Sequence, residues 1–176
     1  MTLLPQKPTD SPFLVKIWGA RGSLPAPLGP AAVEALVREC FTGFFASGGK
    51  QQEEVNPYLA TLPTHRFGGY GGNTPCVELK TASSRVIIDA GSGIRLLGYE
   101  VMEGPCGKGQ GEVHLVFTHF HWDHLIGLPF FNPIFIPGNT IHVYAVQPGL
   151  EEVFRALFRK PYFPVPMESL GARIVF

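Results

Sequence analysis

The sequence predicts an α/β fold, with a sheet covered by helices on at least one face. Three features carry that expectation. Short apolar runs of strand length recur along the chain, among them "FLVKIWG" at 13–19, "VHLVFT" at 113–118 and "IHVYA" at 141–145. Segments with apolar residues at steps of three and four come between and after them. The 21 Gly and 17 Pro, above the usual share for 176 residues, demand many tight turns between short elements.

Taken in order, residues 1–12 read as a flexible tail, and 1–176 as one domain. In "FLVKIWG", Phe13, Val15 and Ile17 alternate with Leu14, Lys16 and Trp18, which suits a strand. "ARGSLPAPLGP" is too rich in Gly and Pro to be regular and must leave the strand as a loop. From Pro30 to about Phe45 a helix is expected, with Val33, Leu36, Val37, Cys40, Phe41 and Phe44 on one side. Pro30 suits the first turn, where its missing N–H costs nothing, and Gly48-Gly49 can end the helix. Residues 50–66 are polar, with a short helix near "QQEEVNPYLATL". Gly68, Gly69, Gly71 and Gly72 around Tyr70 imply unusual backbone angles or close approach by another group. "VELKTA" (77–82) and "RVIIDA" (85–90) predict a hairpin about Ser83-Ser84, and "GSGIRLLGYE" a turn and short helix. The strand at 113–118 delivers the chain into "HFHWDH", and a short helix stopped near Pro129 follows. "LEEVFRALFR" (150–159) is an amphipathic helix and "ARIVF" (172–176) a last strand.

Composition narrows the function. With 14 basic and 14 acidic residues there is no basic surplus, so nucleic acid is possible but not favoured as a partner. Cys40, Cys76 and Cys106 are odd in number and widely spaced, which speaks for a reducing, cytoplasmic setting over a disulfide framework. The start has no charged region followed by a long apolar stretch, so neither a signal peptide nor a membrane anchor is expected.

Half of the six histidines fall between residues 119 and 124. Imidazole is the commonest zinc ligand, and carboxylate is a hard partner beside it. In an extended segment His119 and His121 point the same way. Asp123 and His124 come a turn later, so one loop offers two ligand pairs, which suit two neighbouring ions better than one. Left without partners, so many polar groups between a buried strand and a helix would be costly. Two ions can share a bridging hydroxide that is nucleophilic near neutral pH, and the chemistry implied is hydrolysis. His65, His114 and His142 stand apart and read as loop, packing or surface residues.

"THFHWDH" resembles the H-x-H-x-D-H signature of the metallo-β-lactamase superfamily. "VIIDAGSG" (86–93) resembles the strand and D-x-G turn that precede it there. "WGARGSLPAP" (18–27), "GGNTPCVEL" (71–79) and "KPYFPVPMESLGARIVF" (160–176) are similar to the branch of phosphoribosyl cyclic phosphodiesterases and relatives of tRNA 3′-processing ribonuclease. The resemblance implies an αββα sandwich with its metals at one edge. It implies His119 and His121 on a first ion and Asp123 and His124 on a second, with Asp123 also orienting the catalytic water. The ions would be zinc, with manganese or iron as alternatives. It places Asp89 behind the metal loop, where its carboxylate would accept an imidazole N–H; a turn aspartate bonding its own backbone is the other reading. Asn73, Arg21 and Ser23 are candidates to line the substrate cleft.

One departure matters. Family members continue past this point and supply another histidine to each ion and a bridging aspartate. Here no histidine follows His142 and no aspartate follows Asp123. The expectation is therefore the N-terminal half of a metal-dependent phosphodiesterase acting on a small cyclic or nucleotide-like phosphate. Its partner would be a complementary C-terminal half or a second copy. The alternative is a non-catalytic, truncated module for metal binding or assembly.

Overall fold

A computed structural model describes residues 13–67 and 71–176, apart from the side chains of Thr64 and His65. The expected tail at 1–12, the side chain of His65 and the centre of the glycine run at 68–70 lie outside the described residues. What is described falls into two compact units, one within Pro27–Gly69 and the other within Pro12–Ala26 and Tyr70–Phe176.

The alternating runs of the larger unit build a mixed six-stranded sheet. Its strands are β1 (Phe13–Gly19), β2 (Cys76–Thr81), β3 (Arg85–Ile88), β4 (Glu112–Phe117), β5 (Thr140–Ala145) and β6 (Arg173–Val175), side by side in chain order. β1, β2 and β3 pair antiparallel, and β3 through β6 pair parallel. The hairpin between β2 and β3 closes as expected: the Thr81 N–H donates to the Ser84 carbonyl at 2.9 Å, and the Thr81 hydroxyl accepts the Ser84 N–H at 3.0 Å. β3 stops one residue before Asp89, whose backbone turns left-handed at φ 62°.

Among its described residues this unit has three α-helices, α3 (Ile94–Met102), α4 (Trp122–Leu125) and α5 (Leu150–Leu157), while α1 (Pro30–Ala46) and α2 (Val55–Thr61) belong to the smaller unit. One face of the sheet is covered. Ile87, Val113, Leu115, Phe117, Ile141 and Val143 pack with Ile94, Leu97 and Val101 of α3 and with Phe154 and Leu157 of α5 in one core. Phe117 meets Phe154 edge-on at 5.9 Å. The other face also reads apolar. Register sets Val15 beside Leu79, Leu79 beside Val86, and Val86 beside His114, with Ile17, Val77, Ile88 and Val116 in the next row. Among the described residues this face is open: Val15 and Ile17 are about half exposed, at 52% and 48%. The described residues form one sheet, so the second sheet of the implied sandwich is not among them.

The smaller unit holds α1 (Pro30–Ala46) and α2 (Val55–Thr61). Pro30 starts α1 as expected. The expected apolar side is only partly used: Phe44 is buried and Leu36 and Cys40 half-buried, while Val33, Val37 and Phe41 stay exposed. A unit this small has too little partner surface to cover a whole stripe. Where it does close, Phe44 meets Tyr58 of α2 edge-on at 5.6 Å. Among the described residues no helix is long and apolar enough to cross a membrane.

Candidate functional site

In open sheets with parallel strands, binding sites gather beyond the carboxyl ends of the strands. β3 and β4 are parallel neighbours, and each delivers polar residues at that end. β3 leads into Asp89, and β4 leads into Thr118, His119, His121 and then α4 with Asp123 and His124.

Main-chain bonds splice the two exits together. The Ala90 N–H donates to the His124 carbonyl at 2.8 Å, and the Gly127 N–H to the Ala90 carbonyl at 2.9 Å. Gly91 sits where a side chain has no room, since a Cβ there would stand 2.5 Å from the Asp123 carbonyl oxygen. The third histidine is thereby fixed against the aspartate turn. His124 Nδ1 lies 2.8 Å from Asp89 Oδ2, and Asp89 is almost wholly buried.

The three rings crowd together. Centroids are 4.5 Å apart for His119 and His121, and 4.0 Å apart for His119 and His124. His124 Nε2 is 3.7 Å from Asp123 Oδ2. The same carboxylate oxygen accepts the Ser23 N–H at 2.9 Å. That bond, helped by the nearby His124 and His121 rings, holds the Asp123 carboxyl below its ordinary 3.8. Ser23 meets it from a left-handed backbone at φ 70°.

Asn73 anchors the loop at 20–26. Its carbonyl accepts the N–H groups of Ala20 (3.0 Å) and Arg21 (2.8 Å), and its side-chain oxygen accepts the Ser92 hydroxyl at 3.0 Å. Thr74 and Ser92 exchange two further bonds, of 3.0 and 2.7 Å. The geometry thus brings His119, His121, Asp123, His124, Asp89 and the backbone of Ser23 together. Asn73 and Arg21 belong to the scaffold that sets the Ser23 loop in place.

His114 and His142 lie elsewhere, on the open sheet face. Their rings stack at 4.9 Å; His114 Nδ1 is 3.0 Å from the Tyr144 hydroxyl, and His142 Nε2 is 2.8 Å from Glu112. Sequence reasoning gave no role to Thr118, whose hydroxyl touches both Asp89 and His119. Its only signal is its place between the strand and the first histidine.

The donor chemistry suits a divalent ion such as zinc: imidazole nitrogens, a carboxylate, and an acceptor behind one ring. The donors are also few. Among the described residues no three of His, Cys, Asp and Glu form a group ready to hold an ion.

No protein-family model and no curated protein matches the chain. Among solved structures, a crystal structure of a new diphosphatase from the PhnP family is similar, at 23% identity and a TM-score of 0.34. The match covers 58% of this chain and 38% of that one, so it spans well under half the length of that protein. The likeness is too slight to bear on fold or chemistry.

Proposed function

We propose that this chain carries the N-terminal half of a metal-dependent hydrolase site, of metallo-β-lactamase type, acting on a small cyclic or nucleotide-like phosphodiester. What carries the reading is the convergence of His119, His121, Asp123 and His124 beyond β4, with the Asp89 carboxylate 2.8 Å behind one of the rings. His119 and His121 would hold one ion, and Asp123 and His124 a second, with zinc first and manganese or iron as alternatives. When bound, such ions supply an activated water and positive charge for a phosphoryl oxygen. The residues of the chain do the rest. Asp89 holds His124 in orientation, and the Ser23 N–H keeps the Asp123 carboxylate aimed and ionised, ready to accept a hydrogen bond from water and orient it. The loop at 20–26 borders the place a substrate would occupy. The remaining ligands would come from a complementary C-terminal half or a second copy, and the setting would be cytoplasmic.

A second reading is a non-catalytic module for metal binding or assembly. It is favoured by the absence, among the described residues, of a group of three donors ready for an ion. Metal analysis with turnover of a chromogenic phosphodiester separates the two. About two equivalents per chain with turnover is expected of the hydrolase; one weakly held ion or none, with no turnover at high protein concentration, is expected of the module. His121→Ala is expected to abolish both metal uptake and rate. Activity that persists in that variant removes His121 from the site.

A further inference from the structure

Thr118 is where the histidine cluster and the carboxylate behind it meet. Its hydroxyl oxygen lies 3.0 and 2.8 Å from the two carboxylate oxygens of Asp89, 3.0 Å from His119 Nδ1 and 3.5 Å from His124 Nδ1. Its N–H donates to Asp89 Oδ1 at 2.9 Å, which pins the threonine to the aspartate from a second direction.

The proton inventory settles the direction of these bonds. A threonine hydroxyl has one proton to give, and a carboxylate has none. The hydroxyl therefore donates to Asp89, and the lone pairs it keeps can only accept from His119. A neutral His119 must then carry its proton on Nδ1, which leaves the electron pair on Nε2. The other side of the carboxylate obeys the same inventory. Asp89 Oδ2 is 2.8 Å from His124 Nδ1, so that ring too carries its proton on Nδ1 and presents Nε2, the atom 3.7 Å from Asp123. The two tautomers of a neutral imidazole lie close in energy, so a hydrogen bond of ordinary strength is enough to choose between them.

We infer that one buried carboxylate sets the tautomer of two imidazoles, that of His124 directly and that of His119 through the Thr118 hydroxyl. Thr118 is a positioning residue: it turns the electron pair of His119 outward. The purpose of this relay rests on the proposed metal site, but its existence does not.

The test is long-range nitrogen–proton correlation spectroscopy of the imidazole rings. It uses the chelator-treated full chain, at a pH where the ring nitrogen shifts themselves report neutral imidazoles. Wild type is expected to show protonated Nδ1 and bare Nε2 at both His119 and His124. Thr118→Val should release His119 into a mixture of tautomers and leave His124 unchanged, and Thr118→Ser should restore the wild-type pattern. A wild-type His119 protonated on Nε2 overturns the relay, and so does a Thr118→Val spectrum identical to wild type. The first of these outcomes is read from the wild-type spectrum alone, even if a variant fails to fold. A zinc titration of the same proteins reads the purpose separately. Thr118→Val is expected to bind zinc about 10- to 100-fold more weakly, with Thr118→Ser at the wild-type value. Equal zinc affinity in Thr118→Val and wild type overturns the positioning role. No zinc uptake by a wild type with the expected tautomers sinks the metal reading and leaves the relay standing.

Discussion

Cys76 has no accessible surface and Cys106 very little. Burial pushes both thiols above their ordinary 9.0; Glu78 and Asp89 add to the effect at Cys76, and Arg85 partly offsets it at Cys106. The consequence for stability has a definite sign. Above pH 9 the unfolded chain releases thiol protons that the folded chain retains, so the unfolded state is favoured as pH rises. Each such thiol is expected to cost up to about 1.4 kcal/mol per pH unit in that range. Urea melts from pH 8 to 10 measure the loss, and Cys76→Ala should remove part of it. At this scale the sequence was half legible. It offered the histidines and Asp123 as a ligand pattern, because chemistry of that kind is written in residue types. It offered Asp89 with two roles open, and the geometry sets its carboxylate against His124. It was silent on the left-handed backbone of Ser23 and on Thr118, whose importance lies in direction rather than identity.

Strands and helices were legible almost to their ends, because alternation and Pro/Gly punctuation survive in a sheet with one packed face. The α5 helix buries Phe154 and Leu157 from its expected apolar side, while α1 leaves much of its own exposed. Periodicity reports which side is apolar, not whether anything is there to meet it. What periodicity hid was Glu78, a charged residue at a core position of β2 and 1% exposed. The Trp18 Nε1–H donates to it at 3.0 Å, and Arg85 Nε stands 2.8 Å from its other oxygen, off the hydrogen-bond direction, so that contact is ionic. Lys16 lies 3.9 Å over the Trp18 ring and pairs with Glu100 of α3 at 2.6 Å, so the pairs tie β1, β2, β3 and α3 together. Removing one member leaves a half-buried charge and an unmatched indole. Glu78→Ala is expected to cost about 3 kcal/mol, the low end for a broken buried pair because Arg85 keeps some solvent. The shift in urea midpoint at constant slope checks it.

For the molecule as a whole, the sheet has one face packed and one apolar face open among the described residues, and the sequence predicted coverage on at least one. Hydrophobic patterning alone could not say which face has its cover among the described residues. An open face of this kind binds dyes and other apolar surfaces. Replacing Val15 and Ile17 by Lys is expected to lower the fluorescence of an apolar-surface dye markedly. The double change should cost no more than about 1 kcal/mol, because both residues are half exposed and surface changes are individually small. Circular dichroism with a urea melt reads the second number.

The splice between Ala90, His124 and Gly127 bears on how such a chain can change length. Each of its two loops supplies the hydrogen-bond partners of the other, so an added residue in either would break both. Insertions belong instead at sites such as the turn after β5, where Val146 stands almost entirely in solvent. Lengthening there would leave the histidines and Asp89 at their present spacing, and that makes the turn the natural point for grafting new sequence onto this scaffold.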